Sequence, residues 1–194
     1  LEMSSEELGM RWLSMQTGVD SQQLRRGQLG EAEWLELTRA IEASEPAPIV
    51  VDDSPELTPN QMRMHCKRIQ MRQELDLVIV DYLQLMNGGS RFESRQVEVS
   101  HISRQLKALA KELNVPVIAA AQLSRAVEQR VDKIPQLSDL RESGAIEQEA
   151  DVVLFLHRDE DPSMNRPGAR CEPYEVGVEV AKHRSGPTGK IRLP

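Results

Sequence analysis

Four short stretches of this chain are apolar at nearly every position: Ile49-Val50-Val51, Leu77-Val78-Ile79-Val80, Val115 to Ala121 and Val152 to Leu156. A strand that lacks a polar face has to be covered on both sides, and a parallel sheet packed between helices provides that cover. The segments between them carry the helical period. Ser4 to Gly18 places Leu8, Trp12 and Met15 on one side, with Ser4 and Glu7 spaced as a capping box and Gly18 as the stop. Gly30 to Ser44 aligns Trp34, Leu37 and Ile41, and a helix from Pro59 turns Met62, Cys66 and Ile69 inward. Phe92 to Asn114 has the clearest stripe: Val99, Ile102, Leu106, Leu109 and Leu113. Alternation from Tyr174 to Ala181, followed by Gly186-Pro187, predicts a C-terminal β-hairpin. The expected fold is therefore α/β, a mostly parallel central sheet flanked by helices with a hairpin added, and 194 residues fit a single domain.

Composition removes several functions. Aromatics are 3% of the chain, too few for a base-stacking platform. A formal charge of −7 argues against non-specific coating of nucleic acid, although a local basic lining survives such an average. Cys66 and Cys171 are far apart, which suits a reducing cytoplasm better than a disulfide scaffold, and no histidine stands at metal-ligand spacing from another His or Cys. No apolar run approaches the ~20 residues needed to cross a bilayer. The first residue is Leu1 and no signal peptide opens the chain, so a fragment of a longer protein is expected.

Ligands of open parallel sheets collect at the carboxyl ends of strands, so polar residues that terminate apolar runs are informative. Asp81 ends Leu77 to Val80, and a carboxylate there can hold the hydration shell of a phosphate-bound magnesium or simply cap the turn. Gln122 ends Val117 to Ala121. Its amide can sense a terminal phosphate or orient water, or be satisfied by a neighbouring loop. Lys182 and Arg184, two apart after Val176 to Val180, offer a two-pronged grip on phosphate oxygens or the protective charges of a hairpin edge. In Leu140 to Gln148, Arg141, Glu142 and the backbone near Gly144 can hold a nucleic-acid phosphate, or form an ordinary charged loop before a short helix. The segment Gly186 to Ile191 only mimics a phosphate-binding loop, with too few residues between its glycines and no Ser or Thr after Lys190. It reads as a turn. No other segment supplies that motif.

Asp81-Tyr82-Leu83-Gln84-Leu85, Gln122-Leu123-Ser124-Arg125, Asp139 to Gly144 and Lys182-His183-Arg184-Ser185-Gly186-Pro187 occur together and in order. The set resembles the carboxyl-terminal, RecA-like motor domain of the bacterial replicative DNA helicases of the DnaB family, across essentially the whole chain. That resemblance implies an ATP-hydrolysing DNA helicase moving 5′ to 3′. It would be a hexameric ring around single-stranded DNA, with ATP and Mg2+ between subunits and with primase and a helicase loader as partners. It further implies that Leu1-Glu2-Met3-Ser4 ends a strand whose Glu2 is the general base. Asp81 becomes the Walker B aspartate that holds magnesium, Gln122 the residue coupling the γ-phosphate to the DNA side, and Arg184 an arginine finger accompanied by Lys182. Arg141, Glu142 and Gly144 become the loop on DNA phosphates, and Asn87 to Arg91 a further loop facing the channel.

On this resemblance residues 1–194 are part of a motor domain whose Walker A loop and primase-docking domain lie upstream, and the chain alone is expected to have little ATPase activity. Two other classes stay open. One is a different RecA-like ATPase, such as a recombinase, a phage primase-helicase or a clock-type ATPase. The other is a non-catalytic module that docks a loader or primase through helices such as Glu31 to Ala43 or Pro59 to Glu74.

Overall fold

The computed structural model describes residues 3–44, 48–130, 134–140, 144–158 and 176–193. The chain divides into two compact units, Leu1–Glu56 and Leu57–Pro194.

The first unit is helical: α1 (Ser5–Thr17), α2 (Ser21–Arg26) and α3 (Glu31–Ser44). Ser4 and Glu7 form the expected reciprocal cap, and Gly18 closes α1 in the left-handed conformation at φ 71°. The short α2 starts at Asp20, whose carboxylate accepts the N–H groups of Gln22 and Gln23. Leu37 is buried, but Trp34 and Ile41, expected beside it, are more than half exposed. Ile49-Val50-Val51 departs from expectation as well. It forms no strand, and Ile49 is 68% exposed. An extended run becomes a strand only when a neighbour takes its N–H and C=O groups, and no described residue does so here. Just beyond it, the Asp53 carboxylate accepts both the backbone N–H and the hydroxyl of Ser5 at 3.1 Å, which holds its pKa below the usual carboxylate range.

In the second unit, α4 (Pro59–Gln70) leads to β1 (Val78–Val80), a 3₁₀ turn (Leu83–Leu85), α5 (Arg95–Leu113) and β2 (Val117–Ala119). Thr58 and Gln61 cap α4 reciprocally, with Pro59 in its first turn. The stripe foreseen on α5 is the buried one, joined by Ser103. Asn114 at φ 54° then reverses the chain into β2. β1 and β2 pair in parallel, Val78 with Val117 and Val80 with Ala119. Val78 and Val80 are buried while Ile79 is 66% exposed, so the two-sided burial expected of this run holds on one face only. Ile118 on β2 is exposed too, and among the described residues nothing covers this second face.

After the short α6 (Gly144–Glu149), β3 (Val152–Arg158), β4 (Val176–His183) and β5 (Gly189–Leu193) form an antiparallel sheet in that order. β4 and β5 are the expected hairpin. Val153 and Phe155 of β3 pack with Leu140, and Leu123, Leu137, Ile146, Ala150 and Ala181 surround them. The register slips between Val153 and Leu154, which face Lys182 and Val180, leaving Ala181 as an extra residue in β4. Among the described residues, no helix is long and apolar enough to cross a membrane.

Candidate functional site

Parallel pairing puts the ends of β1 and β2 side by side. The ladder runs one step past the strands, where Ala120 donates its N–H to the Val80 carbonyl at 2.9 Å. The chain then folds over, and the Leu83 N–H donates to the Ala120 carbonyl, also at 2.9 Å. Asp81 and Gln122 therefore emerge at the same, carboxyl end of the pair, as the sequence reading requires. Gln84 fastens this end. Its amide Nε2 donates to the Gln122 carbonyl at 3.3 Å, and its Oε1 accepts the Gln122 N–H at 3.1 Å. The Gln122 main chain is thus satisfied, while its side chain and that of Asp81 are exposed.

The Asp81 carboxylate makes no hydrogen bond or ion pair with any described residue. An exposed, uncommitted carboxylate fits a hydrated magnesium, which keeps several waters and needs only one or two protein carboxylates. Among the described residues no group of three or more His, Cys, Asp or Glu gathers as a closed metal cage, so the remaining ligands would be water and phosphate oxygens.

The exit of β4 is organised differently. Lys182 donates through Nζ to the carbonyls of Glu147 and Gln148, at the C-terminal end of α6. Arg184 lies past the end of β4. Its N–H donates to the Asp151 carbonyl at 2.8 Å and its Nη1 pairs with Asp151 Oδ1 at 3.1 Å. Lys107 of α5 binds the other oxygen of the same carboxylate. That hydrogen bond first, and the charges of Lys107 and Arg184 with it, hold the Asp151 carboxyl below its usual range. The two cations expected to grip phosphate thus both engage segment 147–151 of their own chain. They do so from a bulged strand and a turn, not as alternate residues of one regular strand.

Of the other expected site residues, Gly144 opens α6 with open space around its Cα. Glu2, Arg141 and Glu142 lie outside the described residues. The glycine-rich segment 87–91 is an irregular loop, as expected, and Gly186 to Thr188 form the turn of the hairpin, with Gly189 and Lys190 already in β5. Sequence reasoning assigned no role to Gln84, Lys107 or Asp151. Gln84 sits in the run after Asp81, four residues past the end of β1, and nothing in its spacing marks the contact with Gln122. Nothing local marks the pairing of Lys107 with Asp151.

The chain matches the model of the DnaB-like helicase C-terminal domain over residues 1–194. It belongs to that family. It is 49% identical over 193 residues to the replicative DNA helicase DnaB of Leifsonia xyli subsp. xyli, covering 100% of this chain and 41% of that protein. It is 45% identical over 194 residues to the replicative DNA helicase DnaB of Geobacillus stearothermophilus, covering 100% of this chain and 42% of that one. The chain thus spans about two-fifths of the length of these relatives. A solved structure of a DnaB-like replicative helicase, described with its interactions with primase, superposes with a TM-score of 0.88 at 37% identity. That match covers 99% of this chain and 46% of that one. A solved ATPase domain gives 0.89 at 36% identity, over 99% of this chain and 68% of its own. The fold is the RecA-like one of helicase ATPase domains, with its parallel pair and its C-terminal antiparallel sheet.

Proposed function

We propose that residues 1–194 form part of the ATP-driven motor of a bacterial cytoplasmic replicative DNA helicase, one subunit of a hexameric ring that moves 5′ to 3′ on single-stranded DNA. The observation that carries this reading is the placement of Asp81 and Gln122 at one end of a parallel pair, in a chain that matches the family throughout. Asp81 holds magnesium through its water shell, and Gln122 presents its amide to the terminal phosphate. Transfer of the γ-phosphoryl group of ATP to water, with ADP leaving, would drive movement, and magnesium would offset the charge on the phosphates. The cradle for its phosphates comes from a Walker A loop outside these residues, since the sequence contains none. Glu2 acts as general base.

Arg184, with Lys182 beside it, serves the nucleotide of the neighbouring subunit. To reach it, Arg184 leaves Asp151, and exposed pairs of this kind hold by only ~0–1 kcal/mol, so release is cheap. Arg141, Glu142, Gly144 and the loop Asn87 to Arg91 hold DNA phosphates without reading bases, as translocation requires. Primase and a loader are the proposed protein partners.

The test uses a chimera in which this chain replaces the matching segment of the Leifsonia xyli helicase. Arg184→Ala should lower ATP hydrolysis by ~10³-fold or more while nucleotide binding persists. Rings mixed from Arg184→Ala and Asp81→Ala subunits should recover part of the rate, because some interfaces then pair an intact finger with an intact metal site. Hydrolysis that ignores Asp81→Ala, or mixtures no more active than their components, would refute a shared site.

A further inference from the structure

Glu98 sits in the first turn of α5 and reaches back to the loop before the helix. One of its carboxylate oxygens accepts the Gly88 N–H at 2.9 Å, and the other takes the guanidinium of Arg95. Arg95 in turn donates Nη2 to the carbonyls of Gln84 and Met86, tying the helix to the 3₁₀ turn. The fit is close: a Cβ on Gly88 would lie 2.3 Å from the Phe92 ring and 2.9 Å from the Glu98 side chain. The Gly88 N–H first, and Arg95 with it, hold the Glu98 carboxyl below its usual range. The same Gln84 whose carbonyl Arg95 holds clamps the Gln122 main chain through its side chain. A continuous polar path therefore runs from Gln122 through Gln84, Arg95 and Glu98 to the backbone of loop 87–91. None of these contacts is needed to form a helix or a strand.

We propose that Gln84, Arg95 and Glu98 are positioning residues, a brace that carries a displacement of Gln122 into the loop Asn87 to Arg91. The proposal rests on the reading that Gln122 senses the terminal phosphate and that this loop faces single-stranded DNA. A brace of hydrogen-bonding links in series transmits only while every link holds, so cutting any one has the same consequence and cutting a second adds little.

The experiment uses the chimera described above with Glu98→Gln, Gln84→Met and the pair. A Gln at 98 cannot serve both donors, because its amide NH₂ would face either the Gly88 N–H or the Arg95 guanidinium. Hydrogen exchange at Gly88 should rise about tenfold in Glu98→Ala, which leaves the Gly88 N–H without its acceptor. Hydrolysis without DNA should be unchanged in Glu98→Gln, while its stimulation by single-stranded DNA falls at least ~5-fold, the lower end of ordinary coupling between sites. Gln84→Met should lower the stimulation equally, and the double variant no further. Stimulation that survives Glu98→Gln, or losses that multiply in the double variant, would overturn the brace as a coupling device. A merely structural role would shift melting without changing the stimulation ratio. An unsubstituted chimera whose hydrolysis ignores single-stranded DNA would defeat the functional reading and this coupling with it. Unchanged Gly88 exchange in Glu98→Ala would defeat the brace whatever the functional reading.

Discussion

The end of the β1–β2 pair and the exit of β4 both present the residues that the sequence marks for phosphate, yet they hold them in opposite ways. At β1–β2 it is the backbone that is committed, to the strand ladder and to Gln84, while the Asp81 and Gln122 side chains are left exposed. At β4 the side chains themselves are committed, Lys182 to carbonyls of α6 and Arg184 to Asp151. A fixed frame with uncommitted tips suits groups that serve a ligand on their own chain. Weak, exposed partners suit groups that must let go to reach another molecule. If that contrast is right, stability near the first end rests on the packing that holds its frame, and substitutions at the second should cost little.

The largest effect belongs to α5, the helix that packs against β2 and the 3₁₀ turn. Ile102 is fully buried on α5, in the unit whose interior also includes Val78 and Val80. Ile102→Ala removes three carbons from a packed site and should destabilise by about 2–5 kcal/mol. Urea denaturation of the chain would read it, and a loss under about 1 kcal/mol would mean that the region is packed no better than the hairpin.

An intermediate effect is expected at Asp151. Its carboxyl is held low by Lys107 and Arg184, so its contribution is present above the ordinary carboxylate pKa and is lost as pH falls through the lowered value. About half exposed, the group lies in screened surroundings, and Asp151→Asn should cost about 1 kcal/mol or less at neutral pH. Stability followed from neutral to acid pH should converge for the two proteins as the native Asp151 protonates. Curves that stay parallel would show that the carboxylate does not hold these cations.

What could be seen beforehand divides along the same line. The α5 stripe from Val99 to Leu113, the capping of α1 and the polar terminations at Asp81 and Gln122 are local patterns, set by helix period and strand length, and they stand where the sequence placed them. The α2 helix was missed because six residues around a lone Leu24 have no face to periodise. Ile49-Val50-Val51 has the composition of a strand, but strands depend on a neighbour that composition does not name. The Lys107–Asp151–Arg184 cluster joins a helix, a strand start and a turn across distant positions, and no spacing rule reaches that far. Gln84 lay in a quoted motif, yet its role is a contact to another strand's backbone and so was visible only in three dimensions.

The smallest stability effect, and the one that separates the two ends most sharply, is expected at Arg184. Its side chain is 59% exposed and its carboxylate partner keeps Lys107 when it leaves. Arg184→Ala should therefore shift unfolding by no more than about 0.5 kcal/mol, as for surface positions generally. In the chimera the same substitution should cost ~10³-fold or more in hydrolysis. A residue that matters little to its own fold and greatly to turnover is free to act on the nucleotide, and the mixed rings tell which subunit's nucleotide that is. If Arg184→Ala instead cost well over 1 kcal/mol, its bond to Asp151 would be structural, and lost hydrolysis would report a loosened β4 exit rather than a missing finger. The stability measurement must therefore accompany the kinetic one, because the pairing with Asp151 carries meaning for function only if the arginine can leave it.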